Sequence, residues 1–184
     1  MNKKMSLPLF LTWVRVFFVP IFICIYYIPD FLMSMPTKNY IATAIFVIAS
    51  ATDYLDGYLA RKLNQVSSFG AFLDPVADKA IVAASLVVLV SLQRTYMFAA
   101  IVIILREIAV SALREWMAQI GQTSGVAVAY IGKLKTALQM LAITLLIYDN
   151  HTRIIGNIVM LLAVLITVVS MFYYLKQAKK YINM

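Results

Sequence analysis

The sequence predicts an all-α membrane protein with six transmembrane helices and an active site at the cytoplasmic side of the helix bundle. Of its 184 residues, 63% are hydrophobic and only 13% are charged, a composition far from that of soluble domains. Apolar runs recur along the whole chain, and four aspartates gather within 26 positions of it. We therefore expect one domain, residues 1–184, in which charged side chains at membrane depth form a site.

Six apolar stretches define the predicted helices. The first follows Lys3 and Lys4; it is too long for a secretory signal and lacks a small-residue cleavage site, so we expect a retained helix. The third and fourth reach the ~20 residues that span a bilayer only by including charged positions. The predicted helices cover residues 7–28, 39–61, 74–92, 96–118, 132–149 and 153–176. Cys24, the only cysteine, lies in the first helix, which excludes an intrachain disulfide.

The basic residues predict the orientation. If the helices alternate across the bilayer, all but three of the 16 Lys and Arg residues share one side, the exceptions being Lys38, Arg94 and Arg153. The positive-inside rule then places both termini in the cytoplasm, as expected for a multi-pass protein of the cell inner membrane. Tyrosines near helix ends, Tyr173 and Tyr174 among them, fit the aromatic belts of such proteins.

A formal net charge of +8 could also suggest a nucleic-acid partner. The basic residues, however, are interspersed among hydrophobic helices instead of being gathered on a solvated domain. We therefore expect anionic lipids and anionic substrates as partners, and no nucleic acid.

Four carboxylates form the most informative pattern. Asp53 and Asp56 are three apart near the end of the second helix, and Asp74 and Asp78 are four apart at the start of the third. Both spacings place a pair on one helix face. Counted from the opposite helix ends, Asp53 and Asp78 lie at the same depth, ~20 Å from the outer surface. Antiparallel helices would therefore bring the four side chains together.

Converging carboxylates repel unless they share protons or bind a cation, and an all-oxygen set suits Mg²⁺ or Mn²⁺. This pattern predicts a metal site. The alternative is that the aspartates pair with Arg61, Lys62 and Lys79 at the membrane interface.

The segment from Asp53 to Asp78 reads DYLDGYLARKLNQVSSFGAFLDPVAD. It resembles the signature of the CDP-alcohol phosphotransferase family, D-x-x-D-G-x-x-A-R, eight residues, G-x-x-x-D-x-x-x-D, at every fixed position. Further segments, LPLFLTWVRV, FLDPVADK, REIAVSALREW and GKLKT, look like the members that use glycerol 3-phosphate. This resemblance covers nearly the whole chain.

The resemblance implies that Asp53, Asp56 and Asp74 coordinate Mg²⁺ or Mn²⁺, with two ions per site, and that Asp78 completes the cluster and acts as general base. It further implies a homodimer and a site for CDP-diacylglycerol. The residues expected to hold this donor are Asp53, Gly57, Ala60, Arg61, Ser67 and Gly70, with the glycines and the alanine in or beside the loop that joins the second and third helices.

A second polar set lies at the end of the fourth helix and the start of the fifth. Arg106 and Arg114 are eight apart, so they can align on one face and offer forked donors to the phosphate of glycerol 3-phosphate. Lys133 and Lys135 complete the predicted acceptor site. The alternative is that these four residues are positive-inside anchors. Thr12 and Arg15 are further candidates, although Arg15 could equally snorkel to the interface.

The expected reaction is transfer of a phosphatidyl group from CDP-diacylglycerol to glycerol 3-phosphate, with release of CMP. Two alternatives remain open. One is a family member with a different acceptor, such as inositol phosphate or serine. The other is a cation transporter, which predicts acidic residues spread through the bilayer, whereas only Asp30 and Asp149 fall on the outer side.

Overall fold

The computed structural model contains six α-helices, and the part of the chain that it describes contains no strand. The backbone is described for residues 7–62, 68–120 and 126–182, and the side chains for residues 10–52, 73, 75–120, 132–176 and 179. The helices are α1 (Leu7–Tyr27), α2 (Met35–Lys62), α3 (Ser68–Ser91), α4 (Met97–Gln119), α5 (Val126–Tyr148) and α6 (Arg153–Ile182). The prediction of an all-α protein with six helices is confirmed.

Four of the six helices, α2, α3, α5 and α6, are longer than the ranges predicted for them. Both α3 and α5 begin six residues earlier than expected, and α6 ends six residues later. The six extra residues of α6, QAKKYI, are mostly polar, and a helix continues through polar positions as long as its backbone hydrogen bonds form. Those of α3 and α5, SFGAFL and VAVAYI, are mostly apolar, so the predicted starts of these two helices are wrong. Gly57 and Ala60 lie in α2, inside the helix predicted over residues 39–61, and Gly70 is a helical residue of α3. The expectation of small residues in the connecting loop is therefore wrong for Gly70.

The described helices form two compact units. The first comprises Met1–Leu92 with Ile147–Asn150 and contains α1, α2 and α3. Here α1 packs against both α2 and α3, and α2 contacts α3. Phe22, Phe46 and Leu86 are fully buried in its core. At the start of α2, Lys38 Nζ lies 2.6 Å from Asp30 Oδ1. This ion pair links the α1–α2 connection to α2.

The second unit comprises Gln93–Leu146 with His151–Met184 and contains α4, most of α5 and α6. The start of α4 lies beside the end of α5, because Arg94 donates a hydrogen bond to the Leu146 carbonyl oxygen at 3.5 Å. It also lies beside the start of α6, where Asn157 donates to the Arg94 carbonyl oxygen at 2.9 Å. The three helices therefore alternate in direction within this unit, as the sequence predicted.

Within the described residues, two helical stretches have the length and apolar composition of membrane spans, Phe10–Tyr27 and Arg153–Lys176. Large apolar side chains are also exposed on several helices, for example Phe17 at 61%, Leu105 at 61% and Leu165 at 62%. Soluble monomers seldom expose so many large apolar groups, so these surfaces are suited to an apolar environment.

The close approach of α5 and α6 predicts a measurable effect on stability. A Cβ at Gly156 would lie 2.9 Å from Cγ and Cδ2 of Leu146, a side chain that is fully buried. We expect Gly156→Ala to lower the free energy of unfolding by about 1–3 kcal/mol, the usual cost of overpacking. Thermal unfolding of the protein purified in detergent would measure it.

Gly132→Ala is the matched control, because a Cβ at Gly132 would meet nothing within 4 Å. Replacing a helical glycine by alanine in open space stabilises by about 0.5–1 kcal/mol. Equal effects of the two substitutions would contradict the close packing of Gly156.

Candidate active site

The predicted acidic site lies on two helices of the first unit. Asp53 and Asp56 are helical residues of α2, and Asp74 and Asp78 are helical residues of α3. Because α3 runs without a break from Ser68 through Pro75, Asp74 and Asp78 lie one turn apart on the same helix face. The side chain of Asp78 is half-buried and has a partner. The side chains of the other three aspartates lie outside the described residues.

The residues predicted to hold the donor flank these carboxylates. Gly57, Ala60 and Arg61 follow Asp56 within α2, and Gly70 lies one turn before Asp74 in α3. Their side-chain positions and the whole of Ser67 lie outside the described residues. The α2–α3 contact nevertheless places the two signature-bearing helices side by side in one unit.

The residues present fit a divalent cation. Two contacting helices of one unit carry four carboxylates at helix-face spacings, and carboxylate oxygens are the ligands that Mg²⁺ and Mn²⁺ prefer. Among the side chains that the structure describes, no group of three metal-ligating residues occurs. Three of the four aspartates are not among those side chains, so the metal prediction remains a prediction.

The additional candidates on α1 are buried. Thr12 is 1% exposed and Arg15 is fully buried, and neither is without a partner. They lie on the helix that packs against both α2 and α3. A fully buried arginine does not reach a lipid interface, so this position favours a role inside the unit over snorkelling.

The predicted acceptor residues form a cationic cluster in the second unit. Arg106 is 5% exposed and donates a hydrogen bond through Nη2 to Ser170 Oγ of α6 at 2.9 Å. Arg114 donates through Nη2 to the Tyr174 hydroxyl oxygen at 2.6 Å. The guanidinium carbons of Arg106 and Arg114 lie 5.6 and 5.2 Å from the centroid of the Tyr174 ring. The two arginines therefore lie on one face of α4, as their spacing predicted, and both contact the ring of Tyr174.

Glu107 connects this cluster to α5. Its Oε1 lies 3.5 Å from Nη1 of Arg106 and also forms an ion pair with Lys135 Nζ. Lys135 is 2% exposed, whereas Lys133 is exposed, since residues two apart on a helix face different directions. The structure therefore brings Arg106, Arg114 and Lys135 together and places Lys133 at the surface.

Sequence reasoning missed the contributions of Ser170 and Tyr174. Tyr174 was predicted to lie in an interfacial aromatic belt, but it is 8% exposed and lies under two arginines. That prediction is wrong for Tyr174, because only the packing of α6 against α4 decides which face of α6 is buried. The one local signal was a set of hydroxyl-bearing residues at helical spacing on α6, Thr167, Ser170 and Tyr174.

Comparisons with known proteins identify the family. Residues 5–169 match the family model for CDP-alcohol phosphatidyltransferases. A protein of Haemophilus influenzae named CDP-diacylglycerol–glycerol-3-phosphate 3-phosphatidyltransferase is 48% identical over 180 residues, covering 96% of this chain and 95% of the relative. Proteins of the same name from Sodalis glossinidius and Shigella flexneri are 42% and 39% identical, again over 96% of each chain. The chain therefore belongs to the CDP-alcohol phosphatidyltransferase family.

Proposed function

We propose that this protein transfers the phosphatidyl group of CDP-diacylglycerol to sn-glycerol 3-phosphate, giving phosphatidylglycerophosphate and CMP in phospholipid biosynthesis. The observation that carries the proposal is the 48% identity to a relative of that name over nearly the full length of both chains. The cationic cluster of buried Arg106 and Lys135 with exposed Arg114 supports an acceptor that carries a phosphate. Family membership sets aside the cation transporter.

The reaction needs a group that removes the proton from the acceptor hydroxyl. Asp78 is the proposed general base, since it is the last carboxylate of the signature and its side chain is half-buried. The deprotonated oxygen attacks the phosphorus that carries the diacylglycerol, a new P–O bond forms, and the bond to CMP breaks. Direct displacement is the simplest course, because the sequence around the aspartates offers no paired nucleophile and base.

Asp53, Asp56 and Asp74, completed by Asp78, are the proposed ligands of two Mg²⁺ or Mn²⁺ ions. Such ions, when bound, neutralise negative charge on the pyrophosphate of the donor. Gly57, Ala60, Arg61, Ser67 and Gly70 are proposed to hold the CDP moiety, with the small residues leaving room for close approach of the ligand.

We place the protein in the cell inner membrane with six spans, both termini in the cytoplasm and the site at the cytoplasmic side. Exposed apolar side chains on several helices support a lipid environment, and the alternating directions of α4, α5 and α6 support multiple crossings. A homodimer is the proposed assembly, with membrane lipids as its surroundings.

The proposal is tested with purified protein, labelled CDP-diacylglycerol and a panel of acceptors. We expect CMP release with glycerol 3-phosphate and little with glycerol, inositol phosphate or serine. Preferred use of one of the other alcohols would keep the family chemistry and overturn the proposed acceptor.

The cationic cluster predicts that substitutions in it change the KM for glycerol 3-phosphate and not the KM for CDP-diacylglycerol. An arginine offers a planar fork of donors that lysine lacks. We therefore expect Arg106→Lys and Arg114→Lys to raise the KM for glycerol 3-phosphate by about tenfold or more while leaving the KM for CDP-diacylglycerol near its parent value. Steady-state kinetics with each substrate varied in turn would measure both constants.

Lys133→Ala is the matched control, since Lys133 is exposed while Lys135 is buried. Its effect on the KM for glycerol 3-phosphate should be smaller than that of Lys135→Ala. A loss confined to the nucleotide lipid would instead assign the two arginines to the donor site.

A further inference from the structure

We propose that Ser170 and Tyr174 of α6 are positioning residues that hold the guanidinium groups of Arg106 and Arg114 ready for the phosphate of the acceptor. This inference rests on the proposed function, in which the two arginines bind the acceptor phosphate. Ser170 and Tyr174 contact the arginines and act on the acceptor only through them. Neither residue belongs to the signature segment, and neither carries a charge.

Ser170 determines the direction of the Arg106 side chain. It is 2% exposed and accepts the bond from Arg106 Nη2 while its own hydroxyl donates to the Thr167 carbonyl oxygen at 2.8 Å. The Ser170 hydroxyl is therefore held in place by α6 itself. Arg106 Nε, which is also buried, has no hydrogen-bond partner among the described residues. A guanidinium so held keeps donor capacity for a ligand.

Tyr174 acts on both arginines. Its hydroxyl accepts from Arg114, and the negative face of its ring lies within cation–π distance of both guanidinium groups. Two cations brought to one place repel each other, and solvent screens that repulsion poorly at Arg106, which is 5% exposed. The ring offsets part of the repulsion, and the hydroxyl orients Arg114. Tyr174 therefore permits two arginines to stay together before a dianion arrives.

The two residues of α6 and the two arginines of α4 lie on facing sides of the two helices. Ser170 and Tyr174 are four apart and face α4 from the same side of α6, while Arg106 and Arg114 are eight apart on the facing side of α4. Preorganised donors cost the ligand less ordering entropy when it binds. The contacts from α6 should therefore affect affinity for the phosphate-bearing acceptor more than any step that involves the donor lipid.

Tyr174→Phe is the first test, because it keeps the ring and removes only the hydroxyl that accepts from Arg114. We expect the KM for glycerol 3-phosphate to rise by about three- to tenfold, the effect of losing one typical hydrogen bond, because the hydroxyl contacts Arg114 and acts on the acceptor only through it. The kcat and the KM for CDP-diacylglycerol should stay near their parent values. Tyr174→Leu also removes the cation–π contacts and should raise the acceptor KM further.

Tyr173→Phe is the matched control. It removes the same hydroxyl from the neighbouring residue, which is 40% exposed, and should change neither KM. Ser170→Ala is an independent variant, because Ser170 contacts Arg106 and not Arg114. It tests the proposal even if Tyr174 variants fold poorly. Ser170→Ala should raise the acceptor KM in the same selective way.

A double-mutant cycle separates positioning from a general structural role. In an Arg114→Ala background, Tyr174→Phe should change the acceptor KM little, because the hydroxyl has lost the group that it orients. An undiminished effect in that background would overturn the proposal, as would equal rises in both KM values. A parent enzyme that uses no phosphorylated acceptor would instead refute the proposed function, and this outcome is visible before any α6 variant is made.

Discussion

Asp78→Asn is expected to remain folded, to bind CDP-diacylglycerol and to lose ~10²- to 10⁴-fold in kcat, the usual contribution of a general base. Asparagine keeps the shape of the side chain but has no basic oxygen, so the acceptor hydroxyl keeps its proton. The half-buried side chain of Asp78 is compatible with both a protein partner and access from a ligand. Rapid-quench measurement of CMP release, together with equilibrium binding of the donor, would separate turnover from binding.

Asp149→Asn is the matched control for this experiment. Asp149 follows α5 with a φ of 53°, a left-handed conformation that asparagine adopts as readily as aspartate. The control should keep a kcat close to that of the parent. If Asp78→Asn did the same, Asp78 would be at most a ligand, and another group would take the proton.

Removal of divalent metal is expected to abolish turnover, and addition of Mg²⁺ or Mn²⁺ to restore it. Three or four carboxylates crowded into one site repel strongly unless a cation compensates them. For the same reason Asp56→Asn and Asp74→Asn should remove most activity, whereas a structural ion pair would leave much of it. Activity assays in chelator followed by metal titration would measure the dependence.

Direct metal binding provides a readout that does not depend on activity. Electron paramagnetic resonance of Mn²⁺ added to the metal-free protein should show about two bound ions per chain, the number that a two-metal phosphoryl-transfer site holds. Asp74→Asn should bind fewer. Full turnover of the metal-free protein, or unchanged Mn²⁺ binding by Asp74→Asn, would show that these aspartates are not metal ligands.

The fold could be predicted well from the sequence because helix formation depends on local properties. Apolar runs of helical length set the number of helices, and the order of α1 to α6 follows from them. The ends were less predictable: α3 begins early, at Ser68, and α6 ends late, at Ile182, because a backbone hydrogen-bond ladder can extend past the stretch whose apolar pattern predicts the helix. Pro75, the second residue of the helix predicted over residues 74–92, therefore lies inside α3 instead of in its first turn.

The residues of the candidate site likewise fall into those that local sequence predicts and those that depend on helix packing. The four aspartates and the arginine pair were recognisable because their spacings match the helical repeat, which is a property of one segment. The burial of Lys135 and the exposure of Lys133 follow from which face of α5 packs inward. The hydroxyls of Ser170 and Tyr174 are sixty or more residues from the arginines that they contact.

The sequence by itself therefore determined the all-α class, the six helices, the family signature and the carboxylates that carry the proposed chemistry. Only the tertiary structure decided which lysine joins the cationic cluster, and that α6 supplies an aromatic platform and two hydroxyl groups to the arginines of α4. The physical reason is that helical periodicity is encoded in neighbouring residues, whereas contact between helices depends on packing across long separations in the chain.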